Sequence, residues 1–178
     1  MAEGTESEYL QAKERAMLML GLSTQCRLPS NRKIKDCIAR ITRAELGPEE
    51  VSRRVNEMRK IAEEIMCILD DFDPFLIGST LSGKIRGTSD IDLHAYCDDF
   101  AVVKSILGEW GYEDVEEEIV QNSKGMFIHL KWFERGYPVE ITIYPWSMRD
   151  VIPISSITGS AMKRVDLRGV RKLLRHSD

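Results

Sequence analysis

Up to about Leu69 the apolar residues of this chain recur at three- and four-residue intervals; from Phe75 onward they fall in short runs broken by Gly, Ser and Asp. That change of period constrains the fold most, because a helical pattern cannot be satisfied by strands, nor the reverse. It predicts an N-terminal helical region over residues 1–70 followed by a mixed region over 71–178. In the first, Leu10, Met17, Leu18 and Leu20 place a helix over Glu6 to Leu20, stopped by Gly21. Ser30 is a helix cap for a second stripe of Ile34, Cys37, Ile38 and Ile41, which ends before Gly47. Pro48, followed by Glu49 and Glu50, opens a third helix whose stripe (Val51, Val55, Met58, Ile61, Ile65, Ile68) runs to about Leu69.

The second region predicts strands at Phe75 to Gly78, Ile91 to Tyr96, about Asp114 to Val120, Met126 to Phe133 and Pro138 to Tyr144. Glu134 to Tyr137, with Gly136, is a hairpin turn joining the last two. Asp98 or Asp99 caps a helix through Val102, Val103, Ile106 and Leu107, and a basic amphipathic helix is expected from about Ser160 to Arg175. The fold class is therefore α/β (α+β), a mixed β-sheet with helices on it.

With 178 residues, 43% of them apolar, the chain has enough material for a core, which excludes a disordered tail. No run approaches the roughly 18 apolar residues of a membrane helix, and Met1 to Glu8 is acidic without the apolar stretch of a leader. Cys26, Cys37, Cys67 and Cys97 are scattered, with no zinc-ligand spacing, and read as free thiols of a cytoplasmic protein. The net charge of −4 is unevenly spread: −2 over residues 1–26, +5 over 27–60, −11 over 61–148 and +4 over 149–178. A site in the acidic middle needs cations before it can receive a phosphate.

The stretch from Phe75 to Leu93 carries the chemistry. A strand enters Gly78-Ser79, where glycine permits close backbone approach and serine offers a hydroxyl, as a phosphate-holding turn requires. Asp90 and Asp92 follow, on one face of the next strand, with Ile91 and Leu93 directed to the core. Two neighbouring carboxylates repel, so either each pKa rises or a divalent cation sits between them, and metal binding is the simpler resolution. Glu140 interrupts the apolar run Val139, Ile141, Ile143 and is a third carboxylate on a strand. Oxygen donors without histidine or cysteine in the motif select Mg²⁺ or Mn²⁺ over zinc, a set suited to phosphoryl or nucleotidyl transfer.

Taken together, Ile77-Gly78-Ser79, Asp90-Ile91-Asp92-Leu93 and Val139-Glu140-Ile141 resemble the DNA polymerase beta-like nucleotidyltransferase superfamily, over about residues 75 to 145. Small bacterial members often carry Arg-Gly shortly after Gly-Ser; this chain has Ser82-Gly83, nearer to RNA-tailing relatives. The resemblance implies a palm-like domain in which Asp90, Asp92 and Glu140 are the catalytic and metal-binding residues for two ions about 3.5–4 Å apart. It implies that Gly78, Ser79, Gly83 and Lys84 bind the nucleotide, with Arg86 a further phosphate contact. The implied reaction moves a nucleoside monophosphate from a nucleoside triphosphate to a hydroxyl and releases pyrophosphate. The acceptor is left open among RNA, a protein hydroxyl and a small molecule. Only about 34 residues follow Tyr144, so recognition of the acceptor falls to the N-terminal helices, a second subunit or a partner protein. A non-catalytic or regulatory module of the same fold, toxin–antitoxin-like, or a nucleotide-binding protein is the alternative.

Other residues carry less. His94 shares the face of Asp90 and Asp92, and packing there is its simplest role. His129 and His176 have no partner that the sequence identifies. Trp110, Trp132 and Trp146 read as core or rim, and Glu116 to Glu118 as a charged strand edge.

Overall fold

The computed structural model describes residues 6–23, 25–122, 125–155 and 159–176. Residues 1–5, part of the acidic start noted above, lie outside them. The three N-terminal helices form where their boundary residues direct. Helix α1 (Glu6–Leu20) closes at Gly21, which takes φ 62° so that Leu22 N can donate to Met17 O at 3.0 Å. Helix α2 (Asn31–Leu46) starts where Ser30 Oγ accepts from Lys33 N. Helix α3 (Pro48–Ile68) begins on Pro48, with Glu49 and Glu50 at its positive end.

After a 3₁₀ turn (Asp70–Phe72), strand β1 (Phe75–Leu76) leads into the short helix α4 (Gly78–Ser82). Then come β2 (Ile91–Tyr96), helix α5 (Phe100–Glu109), β3 (Glu116–Asn122), β4 (Gly125–Glu134), β5 (Tyr137–Tyr144) and helix α6 (Leu167–Arg175). The sheet order is β1-β2-β5-β4-β3, with β2 and β5 parallel and the other neighbours antiparallel. Arg135 and Gly136, both at positive φ, form the two-residue turn between β4 and β5.

Because side chains alternate, one face of the central pair carries Ile91, Leu93, Ala95, Val139, Ile141 and Ile143. These residues join Met58, Ile61 and Ile65 of α3, Val103 and Leu107 of α5, and Val170 of α6 in a single apolar cluster. Helix α3 is thus part of the same core as the sheet. The other face is polar: Asp92, His94, Thr142, Glu140, His129 and Lys131 lie across it at matching registers.

Two expectations are corrected. The first strand stops at Leu76 instead of reaching Gly78, because Gly78 already opens α4. The last helix starts at Leu167, not near Ser160: Val165 exchanges two backbone hydrogen bonds with Leu76 (2.9 and 3.1 Å), and Ala161 bridges Ile154. Asp166 then caps the helix by accepting from Gly169 N at 2.8 Å. None of the described helices is long and apolar enough to cross a membrane. All four cysteines are unbridged.

Candidate active site on the polar face of the sheet

The site is assembled around the start of the parallel β2–β5 pair. Parallel register sets Asp92 beside Glu140, and Asp90 is the residue immediately before β2. Asp90 and Asp92 are both buried. The Asp90 backbone is held from the α4 side: the fully buried Thr80 donates its hydroxyl to Asp90 O at 2.9 Å. Ile77 N donates to Asp92 O at 3.0 Å, so the turn before α4 is stitched to the aspartate strand.

Gly78 sits over Asp92 and has φ +69°. A Cβ at this position would overlap Asp92 Oδ2, and would lie 3.1 Å from its Cγ. The side chain of Asp92 therefore occupies space that only glycine leaves, and the backbone conformation favours glycine independently. Ser79 follows at the start of α4, half-buried. Arg59 of α3 braces the far end of that helix, donating to Thr80 O (3.1 Å) and Leu81 O (3.0 Å).

Gly78 thus lies over Asp92, with Asp90 just before β2 and Glu140 in register, while two of the expected nucleotide contacts, Gly83 and Lys84, are employed elsewhere. Gly83 takes φ +71° and terminates α4. Lys84 Nζ reaches Asp36 of α2 at 2.6 Å, an ion pair on the surface.

Glu140 has a neighbour that sequence reasoning missed. His129 Nδ1 lies 2.6 Å from its Oε1, and Lys131 Nζ lies 3.4 Å from its Oε2. Counting back from the Arg135-Gly136 turn would have found both, since that turn places Lys131 opposite Glu140 and His129 opposite Thr142. Burial pushes the Glu140 carboxyl up, but the His129 hydrogen bond and the charges of His129 and Lys131 outweigh it, so its pKa is lowered. Asp90 moves the other way. Burial raises it, the charge of Glu140 adds to the rise, and Arg86 partly offsets it. The two carboxyl groups are pushed apart, which equips one to remain ionised as the other resists a second negative charge.

His94 does pack. Its ring meets Tyr144 edge-on at 4.8 Å, and its Nδ1 is buried with no hydrogen-bond partner among the described residues. Burial, then the charges of Arg164 and His129, lower its pKa to about 4, so it is neutral at pH 7. Burial likewise holds the Tyr144 phenol up at about 12.

Among the described residues, no three His, Cys, Asp or Glu side chains stand close enough to hold one metal ion. Glu140 is directed to His129. The chemistry of the donors nevertheless fits a hard divalent cation: Asp90 and Asp92 are carboxylates two residues apart, and Glu140 stands in register with Asp92.

No family model and no curated protein matches the chain. Among solved structures it is similar to Cid1, described for its RNA terminal uridylyl transferase activity, with 20% identity and a TM-score of 0.36 over 51% of this chain and 30% of that one. A Cid1 structure with MgGTP bound gives 18% identity and 0.35 over 51% and 32%. The GLD-2/RNP-8 complex gives 16% and 0.35 over 80% and 44%. These neighbours belong to the nucleotidyltransferase superfamily that the sequence motif resembles. The chain spans 30–44% of their length.

Proposed function

We propose that this chain is a metal-dependent nucleotidyltransferase that transfers a nucleoside monophosphate from a nucleoside triphosphate to a hydroxyl acceptor and releases pyrophosphate. The observation that carries this reading is the fit of Gly78 over Asp92, with Glu140 in register on the parallel neighbour. A phosphate-holding turn and carboxylates of unequal basicity meet at one point.

In this reading Asp90, Asp92 and Glu140 hold Mg²⁺ or Mn²⁺, two ions in the full complement. The ions supply charge neutralisation for the triphosphate and activation of the attacking oxygen. The chain does the rest. The backbone N–H groups and Ser79 hydroxyl at the head of α4 bind the β and γ phosphates. The acceptor oxygen forms a bond to the α-phosphorus as the bond to the bridging oxygen breaks, and pyrophosphate departs with that electron pair. Glu140, kept ionised by His129 and Lys131, takes the acceptor's proton at its carboxylate. The acceptor is a hydroxyl of RNA, a protein or a small molecule, and a second subunit or partner protein completes its recognition. We place the reaction in the cytoplasm, where the four unbridged cysteines stay reduced.

One observation favours a second reading, a partner or regulatory module of the same fold: the Glu140 carboxylate is engaged by His129. Incubation of the purified protein with nucleoside triphosphates, Mg²⁺ or Mn²⁺ and a host-cell extract separates the two. Nucleotidyl transfer moves label from the α-phosphate and none from the γ-phosphate into an acceptor. Label that stays in the triphosphate under every condition supports the module.

A further inference from the structure

A cavity of about 380 Å³ opens at the end of the sheet where β2 and β5 begin. Arg53 and Arg54 of α3, Arg86 and Ser89 of the loop before β2, and Arg135 and Tyr137 of the β4–β5 hairpin line it. Gly78, Ser79, Asp90, Asp92 and Glu140 are not among its lining residues, and Arg86, whose charge acts on Asp90, is. Ser89 directly precedes Asp90, and the pairing of Ile91 with Val139 brings Pro138, another wall residue, level with Asp90.

Four arginines from three separate elements line the cavity, with one carboxylate, Glu57. That carboxylate accepts from Tyr137 OH at 2.8 Å and Arg53 Nη1 at 3.1 Å. Three of the arginines are held in place: Arg53 and Arg54 by Glu50, at 2.8 and 2.7 Å, and Arg135 by Glu64. Arg54 uses only its Nε in that contact, which leaves its two terminal amines available. The Arg86 guanidinium makes no hydrogen bond or ion pair among the described residues; only its backbone N–H is used, donating to Ser89 Oγ at 2.8 Å. Arg53 is engaged at all three nitrogens by Glu50 and Glu57, and Arg135 by Glu64 and Glu134, so the N–H groups left to meet the planar, multidentate demand of a phosphoryl group are those of Arg54 and Arg86.

We propose that this cavity is a phosphate-binding subsite adjoining the carboxylate site, where Arg86 and Arg54 donate to phosphoryl oxygens. It rests on the nucleotidyltransferase reading only for the two sources of that group, a backbone phosphate of an oligonucleotide or a free pyrophosphate or nucleotide.

The test is equilibrium binding in chelator, with no transfer required. A fluorescein-labelled 12-nucleotide oligoribonucleotide is titrated with wild type, Arg54→Gln, Arg86→Gln and Arg54→Gln/Arg86→Gln over a salt series, with inorganic pyrophosphate as competitor. Thermal melts confirm that each variant is folded. The subsite predicts roughly tenfold weaker binding for Arg86→Gln, and a salt slope lower by about 0.7 for each arginine lost. Loss of oligonucleotide affinity without pyrophosphate competition assigns the subsite to a backbone phosphate. Pyrophosphate binding that depends on the same arginines, with oligonucleotide affinity unchanged, assigns it to the free anion. Folded variants that bind both probes like wild type, or a wild type that binds neither, overturn the subsite. Arginine-dependent binding by a protein that transfers no label would instead overturn nucleotidyl transfer and leave the subsite standing.

Discussion

Gly78 and Asp92 compete for one volume, and only the smallest residue lets the carboxylate keep it. Gly78→Ala adds a Cβ into that volume and a left-handed backbone penalty, so a loss of about 2–4 kcal/mol in denaturant unfolding is expected. Gly87→Ala, with open space around it and no positive φ, should stay within about 0.5 kcal/mol. His94 supplies a pH signature. Its folded pKa of about 4 lies below the 6.5 of the unfolded chain, so its burial contributes fully above pH 6.5. Between pH 6.5 and 4 only the unfolded chain gains the proton, and about 3 kcal/mol is lost. The pH dependence of urea unfolding in chelator should therefore flatten across that window in His94→Leu; an unchanged slope would show that His94 is not held neutral. The alternation that puts Ile91 and Leu93 in the core and Asp92 on the opposite face was legible because it is local. The Glu140–His129 contact was not, since it depends on cross-strand register, and Lys84 was misleading because its partner Asp36 lies on a distant helix.

At the level of elements, α4 is too short to persist alone and is held by what touches it. Arg59 satisfies two carbonyls at its end, so Arg59→Met should cost about 2 kcal/mol and speed hydrogen exchange over residues 78–82. Unchanged exchange there would remove Arg59 from the support of that helix. The three N-terminal helices were readable in the sequence because each boundary carries its own signal: Gly21, Ser30 and Pro48. The last helix was not. Met162 and Val165 fit a helical stripe by spacing, yet the Val165 backbone pairs with Leu76, a choice that tertiary structure makes. Asp166 marks the true start, and Asp166→Ala should cost about 1 kcal/mol in thermal unfolding, with a loss of helical signal.

For the molecule as a whole, the decisive feature is the crossover that returns β5 beside β2 in parallel after α5, β3 and β4 have been laid down. Local sequence patterns identify each strand but contain no instruction for that order, which only the structure gives. Topology then brings the acidic middle of the chain to one polar face and sets arginines from α3, the β2 approach and the hairpin at its end. In the proposed reaction an anionic substrate meets both. The most direct measurement compares transfer of α-labelled nucleoside triphosphate by wild type, Asp92→Asn and Glu140→Gln in Mg²⁺ or Mn²⁺, with folding checked in the same samples. The expected result is transfer by wild type alone, abolished by chelator, with Asp92→Asn at least as stable as wild type in the absence of metal because a buried charge has been removed. Full transfer by either folded variant would contradict the assignment of these carboxylates as the catalytic site.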